Sequence, residues 1–195
     1  MILSTTEKNI QKARKILKNG GVIIYPTDTL YGLGADINNQ EAIKKVFVLK
    51  GRNFQQPISV MVSEIKDIQK IALVNKNQER FIQALLPGPF TVILKKKKNI
   101  NKILTGGKNT IGIRMPDSKI CRKLSYKMPI TTTSANISGQ KPTLNVKKMA
   151  NIFGNKKVEL ILKGPPKFCN TKFKRMTGKA SAIIDLTFNP PKILR

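Results

Sequence analysis

The sequence predicts a single α/β (α+β) domain over residues 1–195, built on a twisted mixed β-sheet flanked by helices. Two observations lead there. At least seven short apolar runs of strand length are interleaved with five or so segments of helical periodicity. At 195 residues, 40% of them hydrophobic, the chain can bury one core, and its longest apolar runs fall far short of the roughly 20 residues that a bilayer span requires.

The elements follow in order. Residues 6–18 place Ile10, Ala13, Ile16 and Leu17 on one helical face, and Gly20-Gly21 stop the helix. Val22 to Tyr25 is a buried strand ending at Pro26. Asn38 with Glu41 resembles a capping box for a helix that carries Ala42, Ile43, Val46 and Phe47 to about Leu49. Ile58 to Val62 has strand length, Ser63 can cap a helix over about 64–72, and Asn75 with Gln78 can open another that ends before Pro87. Phe90 to Leu94, Thr110 to Arg114 and Ile130 to Thr133 are further strands, with a helix from about Ser118 to Tyr126 between the last two. A helix over about 145–153 and strands at Val158–Leu162, Ala182–Leu186 and Lys192–Leu194 complete the pattern. No internal repeat is visible. Residues 163–179, rich in Gly, Pro and Lys, read as either disordered or a functional loop.

The charge is extreme: 37 Lys+Arg stand against 10 Asp+Glu, a formal net charge of +27. Such an excess attracts polyanions, nucleic acid first among them. The basic residues are 30 Lys and 7 Arg in a chain rich in Ile and Asn, which is also the usage of an A/T-rich genome. Lys95 to Lys98 reads as a solvated strand end or a phosphate-contacting patch. Aromatic residues make up 6% with no Trp, so stacking platforms for single strands are lacking. Nothing at the start from Met1 reads as a secretory signal, and a cytoplasmic location is expected. Cys121 and Cys169 read as two ordinary thiols.

There is no His, which removes Ser-His-Asp and Cys-His catalysis and His-ligated metals. The candidates for chemistry cluster instead at strand ends. Pro26-Thr27-Asp28-Thr29-Leu30-Tyr31-Gly32-Leu33-Gly34 follows a buried strand, where open sheets place ligands; it is a polar turn with two glycines in unusual dihedrals or a site for a small polar substrate. Lys50-Gly51-Arg52 sets a point charge and a planar fork at a helix end, suited to a polyphosphate or simply to the helix dipole. Arg114 ends an apolar strand and needs an anionic partner, either internal (Asp28 or Asp117) or a substrate carboxylate or phosphate. Thr131-Thr132-Thr133-Ser134-Ala135-Asn136-Ile137-Ser138-Gly139 offers hydroxyls and an amide beside glycine, either to line an anion or nucleotide site or as an ordinary strand-to-helix turn. The standard nucleotide-binding glycine fingerprints are missing and no carboxylate pair suggests acid/base or two-metal chemistry, so the set points to phosphoryl or nucleotidyl transfer by positioning and charge stabilisation.

Taken in order, Pro-Thr-Asp-Thr-x-Tyr-Gly-Leu-Gly, Lys50-Gly-Arg52, Leu86-Pro-Gly-Pro-Phe-Thr-Val-Ile-Leu94, Ile-Gly-Ile-Arg114-Met-Pro and Thr-Ser134-Ala-Asn136-x-Ser-Gly resemble the YrdC-like threonylcarbamoyl-AMP synthases over nearly the whole chain. The resemblance implies a YrdC-like fold with a central basic cavity. It implies a reaction of L-threonine, bicarbonate and ATP giving threonylcarbamoyl-adenylate and pyrophosphate, with Mg²⁺ held mainly by the substrate phosphates. Other proteins would then pass the threonylcarbamoyl group to adenosine 37 of tRNA. By position-wise match, Lys50 and Arg52 would bind ATP phosphates, and Thr27 and Arg114 the threonine moiety. Thr110, Ser134 and Asn136 would line nucleotide and substrate, Ser59 and Ser181 would touch threonine, and Arg195 would be a last nucleotide contact. The carbamate oxygen would attack the α-phosphorus without a side-chain nucleophile.

The chain departs from the family pattern at Ser181-Ala182-Ile-Ile-Asp185, usually Ser-Thr-Val-Val-Asp, and at Lys163-Gly164-Pro165, usually Asp-Gly-Gly. Its length resembles the short, single-domain form. The alternative on the same fold is a tRNA- or double-stranded-RNA-binding module without catalysis, which the charge favours and intact Lys50, Arg52, Ser134 and Asn136 disfavour. The related carbamoyltransferase domain of hydrogenase maturation sits in larger chains with Cys-rich zinc motifs that two cysteines cannot supply.

Overall fold

The computed structural model describes residues 1–154, 157–164 and 176–195. It contains strands β1 (Ile2–Ser4), β2 (Ile23–Pro26), β3 (Tyr31–Gly34), β4 (Val60–Met61), β5 (Ala72–Leu73) and β6 (Phe90–Lys96). Strands β7 (Thr110–Arg114), β8 (Ile130–Thr131), β9 (Thr133–Ser134), β10 (Leu160–Lys163), β11 (Ala182–Asp185) and β12 (Lys192–Ile193) follow. The helices are α1 (Glu7–Lys18), α2 (Gln40–Lys50), α3 (Ile65–Ile71), α4 (Lys76–Leu85), α5 (Lys119–Ser125) and α6 (Val146–Phe153).

The expected mixed pairing is present, and the strands divide between two sheets. One has the order β1-β10-β2-β3-β9; the other runs β12-β11-β6-β7-β4-β8, with β5 added on β6. The chain passes from one sheet to the other at Thr132, between β8 and β9, and Ala35 bridges the seam by accepting from Thr131 N at 2.8 Å. Strand β2 is buried on both faces. Its Ile23 and Tyr25 pack with Leu17 of α1 and Leu124 of α5, while Val22 and Ile24 join the larger core around Phe47, Val92 and Ile113.

Local chemistry explains the boundaries. Asn75 and Gln78 form the expected reciprocal cap of α4. The cap of α2 shifts by one residue: Asn39, not Asn38, accepts from Ala42 N at 2.9 Å, and Asn38 N instead donates to Asp36 Oδ1. Ser63 does not cap α3; its hydroxyl donates to buried Asp67 at 2.8 Å, and Glu64 occupies the cap position. Gly51 closes α2 at φ 56°, a left-handed turn that glycine enters without a Cβ clash. Lys95 and Lys96 end β6 and Lys97 N bonds to Ile71 O, so the lysine run is a strand end.

Tyr31 to Gly34, read from sequence as part of a turn, is strand β3, antiparallel to β2. Its glycines have no unusual dihedrals. They leave room for the Tyr25 ring, which a Cβ on Gly32 or Gly34 would meet at 2.8 and 2.7 Å. No helix among the described residues is long and apolar enough to cross a membrane. Cys121 lies buried with its Sγ 3.4 Å from Pro26 O, and Cys169 is outside the described residues, as is most of the 163–179 connection.

Candidate active site

Alternation along three neighbouring strands creates the site. On β6, β7 and β11, Thr91 and Ile93, Thr110, Gly112 and Arg114, and Ile183 and Asp185 face a cavity of about 370 Å³, with Ser181 just before β11. The intervening Val92, Leu94, Ile111 and Ile113 point into the core on the opposite face. Gly112 keeps the floor close, since a Cβ there would meet Ser59 Oγ at 2.8 Å. The β2–β3 hairpin supplies Thr27 and Thr29 as one wall, and Thr132 to Ser134 at the seam between the sheets supply another. Arg52, Lys108 and Arg195 complete a basic lining in which Asp185 is the one carboxylate among the described residues. The volume lies in the range of small-molecule sites.

Arg114 and Asp28 fix the deep end. The guanidinium Nη2 forms an ion pair with Asp28 Oδ1 and donates to Thr29 Oγ1 at 2.6 Å, while Asp117 N donates to Asp28 Oδ2 at 3.1 Å. Thr27 Oγ1 donates to Leu30 O at 2.6 Å and accepts from Thr29 N, which shapes the turn that holds the carboxylate. The internal partner expected for Arg114 is therefore Asp28. One group is left over: the buried Arg114 Nε has no hydrogen-bond partner among the described residues. A buried N–H without a partner is costly, and an incoming anion or carbonyl would relieve it.

Beside this end, Thr91 and Ser181 hydroxyls share a hydrogen bond of 2.8 Å, and Arg195 Nε donates to Ser181 O at 3.1 Å. Ile183 N donates to Arg195 O, so the last residue is laid against β11 by its own backbone. Tyr31, also on the wall, accepts from Gly164 N at 3.2 Å; burial pushes its phenol above the ordinary value despite that bond.

The cations after α2 behave differently from each other. Arg52 lines the cavity, with Nη2 on Pro57 O at 2.9 Å and Nε on Gln56 O at 3.3 Å. Lys50 does not line it. Its buried Nζ donates to Ser134 O at 2.6 Å and Asn136 O at 2.7 Å, with Asn136 Oδ1 at 3.4 Å. Burial, and then Arg52 nearby, lower its pKa to about 8. Asn136 turns its amide onto Ile137 O and Gln140 O, also away from the wall.

Of the residues singled out from sequence, Thr27, Arg52, Ser59, Thr110, Arg114, Ser134, Ser181 and Arg195 meet on one cavity, and Lys50 and Asn136 stand behind it. The sequence reading missed Thr91, Lys108 and Asp185 as lining residues. The signal for Thr91 was its place on the polar phase of an alternating strand; for Asp185 it was a lone carboxylate closing an apolar strand. Among the described residues no group of three His, Cys, Asp or Glu could hold a metal ion.

The Sua5/YciO/YrdC family model, described as "Telomere recombination", matches residues 15–195. A Methanocaldococcus jannaschii protein is 43% identical over 152 residues, 74% of this chain and 72% of that one. The threonylcarbamoyl-AMP synthase of Psychromonas ingrahamii is 31% identical across 92% of this chain and 98% of its own. The solved structure of Pyrococcus abyssi Sua5 complexed with L-threonine superposes with a TM-score of 0.90 at 31% identity, covering all of this chain and 57% of that one. This chain belongs to the Sua5/YciO/YrdC family.

Proposed function

We propose that the protein is a threonylcarbamoyl-AMP synthase, converting L-threonine, bicarbonate and ATP into threonylcarbamoyl-adenylate and pyrophosphate. The observation that carries this reading is a single cavity lined by hydroxyls and three arginines, one of which keeps a buried, unpartnered N–H. Threonine's carboxylate would take Arg114 Nε, with Thr27, Ser59 and Ser181 around its hydroxyl and carbamate. Arg52 would meet the phosphates, and Thr110 and Arg195 the rest of the nucleotide. The amine and bicarbonate lose water to form a carbamate, whose oxygen bonds to the α-phosphorus as pyrophosphate leaves. Positioning and charge neutralisation are enough for this step, which suits a chain without His. Mg²⁺ would arrive as part of the nucleotide substrate with the phosphates as its main ligands.

The product would go to the proteins that modify adenosine 37 of tRNA, in the cytoplasm where these substrates meet. Direct contact with tRNA or double-stranded RNA would be a secondary property of the basic surface. The test is pyrophosphate release from ATP by purified protein with threonine and bicarbonate omitted in turn. Release that needs both substrates is expected; none under any condition, from folded protein, would move the reading to RNA binding alone. Arg52→Ala is expected to cut turnover severely in a protein that remains folded.

A further inference from the structure

Of the described lysines, Lys108 alone lines the cavity. It stands just before β7, two residues ahead of Thr110, in the phase that turns Thr110, Gly112 and Arg114 to the same space. Pairing with β6 carries that phase outward beyond the strand, since Lys96 N donates to Asn109 O at 2.9 Å. At about 3.3 Å per residue, the stretch from Lys108 to Arg114 reaches about 20 Å. Lys108 therefore stands at the far end of the cavity from the Arg114–Asp28 pair.

The loop that carries Lys108 is packed onto the loop that carries Arg52. Ile58 N donates to Leu104 O at 2.9 Å. Gly106 lies so close to Gln55 O that a Cβ there would meet it at 2.2 Å. The next two carbonyls along, Gln56 O and Pro57 O, are the ones that accept from Arg52. The backbone at Lys108 is fixed as well: Gly107 N donates to Lys102 O at 3.0 Å and Lys108 N to Thr105 O at 3.1 Å. Two cations thus enter one end of the cavity from interlocked loops.

The cavity's arginines all have protein partners: Arg114 has Asp28, Arg52 has two carbonyls and Arg195 has Ser181 O. The Lys108 side chain has neither an ion pair nor a hydrogen bond among the described residues. An ammonium on a flexible stem is a point charge with three donors, well matched to phosphate oxygens. A polyphosphate spreads its charge over more groups than one guanidinium can face. We infer that Lys108 is a further ligand-binding residue, which joins Arg52 in holding the terminal phosphates of the nucleotide and the pyrophosphate they become. Its ligand, though not its place in the cavity, rests on the synthase reading.

Calorimetric titration with inorganic pyrophosphate tests this on wild type, Lys108→Gln, Lys108→Arg and Lys98→Gln, the last an exposed lysine that does not line the cavity. Lys108→Gln is expected to weaken pyrophosphate binding about tenfold. Lys108→Arg, which keeps the charge, should stay within about threefold of wild type, and Lys98→Gln within about twofold. Threonine affinity, set at the Arg114 end, should be unchanged in Lys108→Gln, which separates a lost phosphate contact from a general loosening of the site. In turnover the same variant should raise KM for ATP about tenfold, with a smaller change in KM for threonine. Lys108 is exposed, so thermal unfolding should stay as in wild type. Pyrophosphate binding equal in wild type and Lys108→Gln, or equal losses in Lys108→Gln and Lys98→Gln, would overturn the assignment, as would a wild type that binds no pyrophosphate. Lost affinity for adenosine monophosphate with pyrophosphate affinity intact would overturn it in favour of contact with the nucleoside. A wild type whose pyrophosphate binding depends on Lys108, but which releases none from ATP, would sink the synthase reading and leave the phosphate site in place.

Discussion

The two ends of the cavity solve the same problem in different ways. At the deep end, Arg114 has its own carboxylate, so the buried charges cancel and Asp28, Thr29 and Asp117 N fix the guanidinium before any ligand arrives. At the end near α2, Lys50 and Arg52 meet only carbonyl oxygens, so their two positive charges remain uncompensated within hydrogen-bond reach. The first arrangement gives geometry: a guanidinium fixed by its partners, with one N–H left without a hydrogen-bond partner among the described residues. The second gives potential, since dipoles hold the cations in place without neutralising them. A reaction joining a small carboxylate to a polyphosphate needs one of each.

Breaking the neutral end should produce the largest effect. Arg114→Met leaves Asp28, with no exposed side-chain surface, as an unpaired buried charge, and a loss of about 3–5 kcal/mol is expected in urea unfolding. Removing both charges in Arg114→Met/Asp28→Leu should recover much of that stability and none of the activity. Next comes the hairpin that carries Asp28. Gly32→Ala pushes a methyl into the Tyr25 ring at 2.8 Å and should cost about 1–3 kcal/mol in thermal unfolding, by overpacking.

The cationic end should respond to pH rather than to packing. Lys50 titrates at about 8 in the fold against an ordinary 10.5, so between those values the unfolded chain holds the extra proton. Its contribution to stability therefore rises with pH across that window, and below about 8 keeping the buried charge is a cost. Turnover that depends on the protonated form should decline above about pH 8, and Lys50→Arg should move that decline to higher pH; identical profiles would separate the decline from Lys50. The smallest structural effect is expected at Arg52→Gln, which gives up two bonds to carbonyls and should change stability by about 1 kcal/mol. A loss as large as that of Arg114→Met would erase the contrast between the two ends.

Legibility from sequence followed the range of the interaction involved. Helix α4 was readable with its cap because Asn75 and Gln78 lie within one turn, and β7 because Thr110, Gly112 and Arg114 alternate with Ile111 and Ile113. Strand β3 was not, because its glycines look like a turn until the Tyr25 ring fills the space above them. Strand β1 was missed because it is short, and its parallel partner β10 is over 150 residues away in sequence. Lys50 and Arg52 were found as a pair, yet nothing in Lys-Gly-Arg says that one faces the cavity and the other faces away.

The sequence by itself determined the alternation of helices and strands, the absence of imidazole chemistry and the set of hydroxyls and cations at strand ends, since these depend on residue type and local period. Only the tertiary structure decided that the strands divide into two sheets meeting at Thr132, that Asp28 rather than Asp117 forms the ion pair with Arg114, and that Lys50 turns to the backbone of Ser134 and Asn136. The reason is physical: a charge is compatible with many partners in sequence, and burial selects among them by proximity and by the cost of leaving any polar atom unmatched.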